Sequence, residues 1–154
     1  MFYKMIEAKR DEWLNSGSCS VESLIHYIEK TGQMRDAQIE AIKTYLFLKI
    51  VCNSRPLSEL FCRGAFNTLI LDEEELSGKT REYLSTHPEA AALFEYALLK
   101  NDKGEQVSPK LEKQIRKEPE SIDYKQFFKE AFYKLTYTDY LFSLPMGAGK
   151  TFLM

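Results

Sequence analysis

Histidine, cysteine, glycine and proline are scarce in this sequence of 154 residues, and long apolar runs are missing. Two histidines and three irregularly spaced cysteines form no zinc-ligand pattern, which excludes a zinc module. An odd number of cysteines is typical of reduced thiols in a cytoplasmic protein. The longest apolar stretch, residues 45–52, contains Lys49 and is too short to span a bilayer, and the first ten residues lack a signal-peptide core. We therefore expect a cytoplasmic protein without a membrane segment.

A strong charge excess is also missing. The net charge is −2, so the chain as a whole is not a basic nucleic-acid-binding module. The apolar share of 44% and the charged share of 29% are typical of a globular protein and exclude a disordered one.

Helical signals fill residues 1–135. Apolar residues recur at helical spacing, and Ser, Asp, Pro and Gly stand where helices start and stop. The predicted helices, in chain order, cover 1–15, 20–32 capped by Ser20, 36–52 capped by Asp36, 57–64, a segment opened by the acidic run 72–75, 88–98, 109–118 and 123–135. The helix predicted at 36–52 has an apolar stripe that should face the core, formed by Ile39, Ile42, Leu46 and Ile50.

Three side-chain groups in this helical region have a plain structural interpretation. We expect a solvated face from the basic residues Lys110, Lys113, Arg116 and Lys117, rather than a phosphate-contact patch. We expect core packing from Phe127, Phe128 and Phe132, rather than a base-stacking or partner surface. His26 and His87 have no catalytic partners in the sequence and are predicted to be structural.

The end of the sequence changes character. Residues 136–142 are strand formers, and Met146-Gly147-Ala148-Gly149-Lys150-Thr151 follows them. A strand, a glycine loop and a helix start is the order of a phosphate-binding loop, because small residues let backbone N–H groups turn onto phosphate oxygens. Gly147, Ala148 and Gly149 would form the loop, Lys150 would reach the β- and γ-phosphates of ATP, and Thr151 would ligate Mg²⁺. The alternative is a chance Gly-Lys-Thr in a surface turn.

Two segments together resemble a known family. Residues 144–151, Leu-Pro-Met-Gly-Ala-Gly-Lys-Thr, look like motif I of superfamily 2 helicases, including the helicase subunits of type III restriction enzymes and DEAD/DEAH-box-like proteins. Residues 34–42, Met-Arg-Asp-Ala-Gln-Ile-Glu-Ala-Ile, are similar to the family segment whose glutamine reads adenine. The resemblance implies that Gln38 contacts the adenine of ATP, while the competing interpretation is an ordinary start of an amphipathic helix. Gln38 and Lys150 stand 112 positions apart, more than is usual in the family.

The resemblance implies a mostly α fold in two parts. A helical N-terminal region, residues 1–135 with an insertion at 53–135, would be followed by the first strand and Walker A loop of an incomplete RecA-like α/β domain, residues 136–154. The function implied is that of the N-terminal part of an ATP-dependent nucleic-acid helicase or translocase, with DNA favoured over RNA and with restriction or antiphage defence as the setting. The alternatives are a helical protein-interaction or regulatory module with its own protein partner, and a P-loop NTPase that is not a helicase.

Overall fold

Helices dominate residues 1–132, the part of the chain that the computed structural model describes. Their bounds are α1 Phe2–Leu14, α2 Glu22–Thr31, α3 Asp36–Ile50, α4 Leu57–Cys62, α5 Gly78–Thr86, α6 Pro88–Leu98, α7 Pro109–Lys117 and α8 Tyr124–Ala131. Residues 1–132 contain no β-strand, only an isolated antiparallel bridge between Lys100 and Gln106. The prediction of a mostly helical fold is confirmed, while the strand and phosphate loop predicted at 136–154 lie outside the described residues.

The described residues form two compact units. The first unit combines Met1–Lys9 with residues 55–132 and contains α4 to α8, and the second unit is residues 10–54 with α2 and α3. Helix α1 contributes residues to both units. In the first unit α6 packs against α4, α5, α7 and α8, so this alanine-rich helix is its centre.

Several predicted helix boundaries are confirmed with their chemistry. Gly32 ends α2 in the left-handed conformation at φ 63°, and Gly64 follows α4 at φ 68°. Pro88 and Pro109 open α6 and α7, where a missing N–H costs nothing. Asp123 caps α8 by accepting a hydrogen bond from the Gln126 N–H at 2.9 Å.

Two predicted helix caps and one predicted helix start are wrong. Val21, not Ser20, occupies the N-cap of α2, and Arg35, not Asp36, occupies that of α3. The acidic run at 72–75 does not open a helix, because residues 71–73 form a 3-10 turn and Ser77 caps α5 through a 3.2 Å bond from the Thr80 N–H. A cap depends on the local backbone angles, so a suitable side chain one position away does not suffice.

An aromatic cluster forms the core of the first unit. Its members are Phe2, Phe61, Phe66, Tyr96, Phe128 and Phe132. Phe2 stacks on Tyr96 with ring centroids 4.0 Å apart, and Phe61 stacks on Phe132 at 5.1 Å. Phe61 and Phe128 are completely buried, which stabilises the folded chain by about 1.5–3 kcal/mol for each ring. Phe128 is thus a core residue, as its spacing predicts, while Phe127 and Phe132 are half-buried and contact its ring.

The second unit has a smaller core, in which the predicted stripe of α3 is only partly buried, with Ile39 in the core. Trp13 packs against Phe47 with ring centroids 5.8 Å apart, and Leu48 is buried with them. Ile50, predicted to face the core, is exposed. Apolar residues surround α3 on all sides, so the large ring of Phe47 selects the buried face rather than the aliphatic spacing.

Candidate functional site

The predicted site residues divide between the described and the undescribed parts of the chain. Residues 147–151, predicted to hold the ATP phosphates and Mg²⁺, lie outside residues 1–132. Gln38 lies inside them, in the first turn of α3 within the second unit. The geometry at Gln38 is therefore the part of the predicted site that the structure describes.

Gln38 closes the first turn of its own helix. Its Oε1 accepts a hydrogen bond from the Arg35 N–H at 2.7 Å, and the Gln38 N–H donates to the Arg35 carbonyl at 2.8 Å. This satisfies one of the N–H groups that a helix start otherwise leaves without a partner. The side chain is only 2% exposed, so its amide has a fixed orientation.

A cleft of about 460 Å³ lies beside this helix within the second unit. On its wall the buried Arg10 guanidinium contacts Glu40 at 2.7 Å and Asp11 at 2.7 Å, and it donates to the Thr44 hydroxyl at 2.8 Å. These pairs join α1 to α3 and neutralise a charge that burial would otherwise penalise strongly. The arrangement stabilises the unit and leaves Arg10 without capacity for a ligand phosphate.

Lys43 completes the same ion-pair network. Its Nζ lies 2.9 Å from Glu29 on α2 and 3.0 Å from Glu40 on α3. Burial lowers the pKa of Lys43, but the hydrogen bonds to Glu29 and Glu40 outweigh it, and the net pKa lies above the ordinary value of 10.5. Lys43 therefore stays protonated and holds α2 against α3.

A second Gly-Lys-Thr, at residues 78–80, was missed by the sequence reasoning. It opens α5, but the Thr80 hydroxyl is buried and donates to the Arg116 carbonyl at 2.9 Å, which removes it from metal ligation. Lys79 points outward, 74% exposed, and pairs with Glu120 at 3.2 Å. Gly-Lys-Thr at 78–80 therefore has a structural role. Its lysine can serve as a control in experiments that replace the lysine of the Gly-Lys-Thr at 149–151.

The predicted basic face of α7 contains one structural cation. Arg116 contacts Glu112 at 2.6 Å and Glu74 at 3.2 Å, donates to the Glu75 carbonyl at 2.6 Å, and lies 5.1 Å from the centre of the Phe94 ring. Lys110, Lys113 and Lys117 are exposed, as predicted for a solvated face. Arg116 instead ties α7 to the acidic segment before α5.

The thiols and histidines show no catalytic arrangement in the described part of the chain. The three cysteines are free, and burial raises the pKa of the Cys52 thiol to about 11, which disfavours a reactive thiolate. His87 stacks on Tyr83 at 4.0 Å and donates from Nδ1 to the Tyr83 carbonyl at 2.9 Å, a structural role as predicted. Residues 1–132 contain no group of three or more acidic, histidine or cysteine side chains suited to a metal ion.

Comparisons with known proteins found no match, so a functional conclusion depends on the sequence motifs. No protein-family model, no curated protein and no solved structure matches the chain. None of the helices within residues 1–132 has both the length and the apolar content needed to cross a membrane.

Proposed function

We propose that this chain is the N-terminal part of an ATP-dependent nucleic-acid helicase or translocase similar to superfamily 2, with DNA as the favoured substrate. The observation that carries the proposal is the sequence Leu-Pro-Met-Gly-Ala-Gly-Lys-Thr at 144–151, which follows a run of strand-forming residues. A helical body ahead of this segment is compatible with the proposed arrangement.

The proposed chemistry assigns separate tasks to the loop residues. The backbone N–H groups of residues 147–149 bind the β-phosphate, and Lys150 stabilises the charge that develops on the transferred γ-phosphoryl group. Thr151 would hold Mg²⁺ through its hydroxyl, and the ion would supply positive charge that stabilises the phosphates. The acid that orients water and the arginine from a second domain would belong to further segments of the complete protein.

Gln38 is proposed to contact the adenine. Its amide could donate to N7 and accept from the N6 amine, a pair of contacts that guanine cannot match. The capping bond from Arg35 fixes which end of the amide is the oxygen. Because Gln38 is almost fully buried, an adenine contact also requires displacement of the groups that cover it.

The test is ATP hydrolysis by the complete protein, with and without single-stranded DNA or RNA. We expect Lys150→Ala to abolish DNA-stimulated hydrolysis, because it removes charge stabilisation from the transferring phosphoryl group. Lys79→Ala is the matched control, since it alters the same tripeptide at a site where the lysine is exposed and pairs with Glu120. This variant should retain wild-type turnover.

The outcomes separate the competing functions. Retained turnover in Lys150→Ala at saturating ATP would rule out the motif I assignment and favour the interaction-module alternative. Lys150-dependent hydrolysis that neither DNA nor RNA stimulates would instead identify a P-loop NTPase that is not a helicase.

A further inference from the structure

An apolar groove of about 620 Å³ lies in the first unit. Leu69 and Leu71 form one wall, and Gly78, Arg81 and Ser85 of α5 line the other. Its volume falls in the range of about 300–1,000 Å³ that is typical of binding pockets.

The groove wall that contains Leu69 and Leu71 is fixed by hydrogen bonds to Glu95 of α6. The buried Glu95 carboxylate accepts hydrogen bonds from the Thr68 N–H at 2.9 Å, the Leu69 N–H at 3.1 Å and the Thr68 hydroxyl. Ile70 has extended angles, φ −90° and ψ 101°, and its side chain is 58% exposed. Residues 69 and 71 therefore line the groove while residue 70 faces solvent, the alternation of an extended segment. Because Glu95 fixes the wall, a ligand would not have to order it.

Arg81 supplies a polar group at this groove. Its Nη2 donates to the Glu74 carbonyl at 3.1 Å, and its Nη1 lies 3.8 Å from Asp72. Its Nε has no hydrogen-bond acceptor among the described residues, although it is buried. A buried donor without a partner costs about 1–3 kcal/mol. Since the side chain is 42% exposed, the guanidinium can turn towards a carbonyl oxygen offered by a ligand.

The charges around the groove favour a basic ligand. Acidic side chains at its rim and in the adjoining turn are Asp72, Glu73, Glu75 and Glu82. The nearby cations are already engaged, because Lys79 pairs with Glu120 and Arg116 pairs with Glu74 and Glu112. Arg81 alone does not balance four carboxylates, so the groove region carries net negative charge.

We propose that this groove is a docking site for a short basic peptide segment of a partner protein, with an apolar side chain between Leu69, Leu71 and α5. The flanking Lys or Arg residues of the peptide would pair with the carboxylates at 72–75 and Glu82. One peptide carbonyl would accept the hydrogen bond that Arg81 can donate. This site is independent of the proposed ATP chemistry.

Two glycines provide a matched pair of variants. A Cβ placed on Gly78, which lines the groove, or on Gly17, in the second unit, would meet no atom of residues 1–132 within 4 Å, and neither glycine has a left-handed φ. Gly78→Leu should therefore place a side chain in open space at the groove without disturbing the fold. Gly17→Leu adds the same side chain elsewhere. Equal unfolding temperatures in the two variants would verify that both fold.

The assay selects random linear peptides displayed on phage against the wild-type protein, with Gly78→Leu as the counter-target. We expect the selected peptides to combine Lys or Arg with one or two apolar residues. Measured by fluorescence anisotropy, a selected peptide should bind about tenfold more weakly to Gly78→Leu and with unchanged affinity to Gly17→Leu. Arg81→Met should weaken it about three- to tenfold through loss of one hydrogen bond.

Three results would overturn the proposal. The first is the absence of any peptide that prefers wild-type protein to Gly78→Leu, and the second is the selection of acidic or uncharged peptides. The third is self-association of the wild-type protein, measured by sedimentation and abolished by Gly78→Leu, because the groove would then bind a second copy of this chain.

Discussion

Replacing Gln38 by methionine tests the best-defined contact at the predicted adenine-binding residue. Methionine keeps about the same side-chain length and removes the oxygen that accepts the Arg35 N–H. One intramolecular hydrogen bond contributes about 0.5–1.5 kcal/mol, and loss of an N-terminal cap costs about 0.5–2 kcal/mol, so we expect the free energy of unfolding to fall by about 1 kcal/mol. Gln38→Glu retains an acceptor for the Arg35 N–H at the same place, while burial of the new carboxylate adds its own cost to the free energy of unfolding.

Two measurements check this expectation. Urea unfolding gives the change in free energy, and amide hydrogen exchange followed by NMR reports on the Arg35 N–H itself. In Gln38→Met that amide should exchange about fivefold faster, the factor that corresponds to about 1 kcal/mol. In Gln38→Glu its exchange should stay close to wild type. Unchanged stability and unchanged Arg35 exchange in Gln38→Met would refute the capping role.

The same two variants separate capping from adenine recognition in the complete protein. Both lack the amide N–H₂ that would donate to adenine N7, so both should lose preference for ATP over GTP, by about fivefold for one lost hydrogen bond. If Gln38→Glu keeps wild-type nucleotide preference, Gln38 is a capping residue only, and the adenine proposal fails while motif I is unaffected.

Three further outcomes are expected. Gly64→Ala should lower the free energy of unfolding by about 2 kcal/mol or more, because its Cβ would lie 2.8 Å from Asn67 Nδ2 at φ +68°, whereas Gly17→Ala should change little in the same urea titration. Hydrogen bonds from Gln106 and then from Arg116 lower the pKa of Glu112, so its contribution to stability is present above its ordinary pKa of 4.5 and is lost as the pH falls through the lowered value. Glu112→Gln should therefore weaken the dependence of the unfolding temperature on pH in this acidic range, and an unchanged dependence would contradict the assignment. The 154-residue chain by itself should release no phosphate from ATP, and Lys150-dependent release would show that the catalytic groups assigned to further segments are already present.

The sequence predicted those helices whose boundaries carry residues of restricted geometry. Pro88, Pro109, Gly32 and Gly64 determine local backbone angles whatever the surroundings, and each lies where it was expected. The buried face of α3 was not predictable in this way. Its apolar residues surround the helix, and the choice of Phe47 over Ile50 depends on Trp13, more than thirty positions away.

Roles that depend on distant partners were also beyond local sequence patterns. Arg116 looks like one of four cations on a solvated face, yet its partner Glu74 is 42 positions away in sequence. The family resemblance predicted that Gln38 contacts adenine. Its capping bond with Arg35 instead follows from the spacing of three residues between them at a helix start. That spacing was available in the sequence and pointed to a role in the helix itself.

The first unit is built from two segments that are far apart in sequence, and this affects the order in which the protein folds during its synthesis. The described part of the second unit, residues 10–54, is one continuous stretch, so the contacts within this stretch become available soon after residue 54 leaves the ribosome. The first unit begins with Phe2 but needs Phe128 and Phe132 to complete its ring contacts. About 130 further residues must therefore be translated before the full set of ring contacts of Phe2 can form. Closing so long a loop slows folding, and during this interval the aromatic side chains of the early chain are exposed to chaperones.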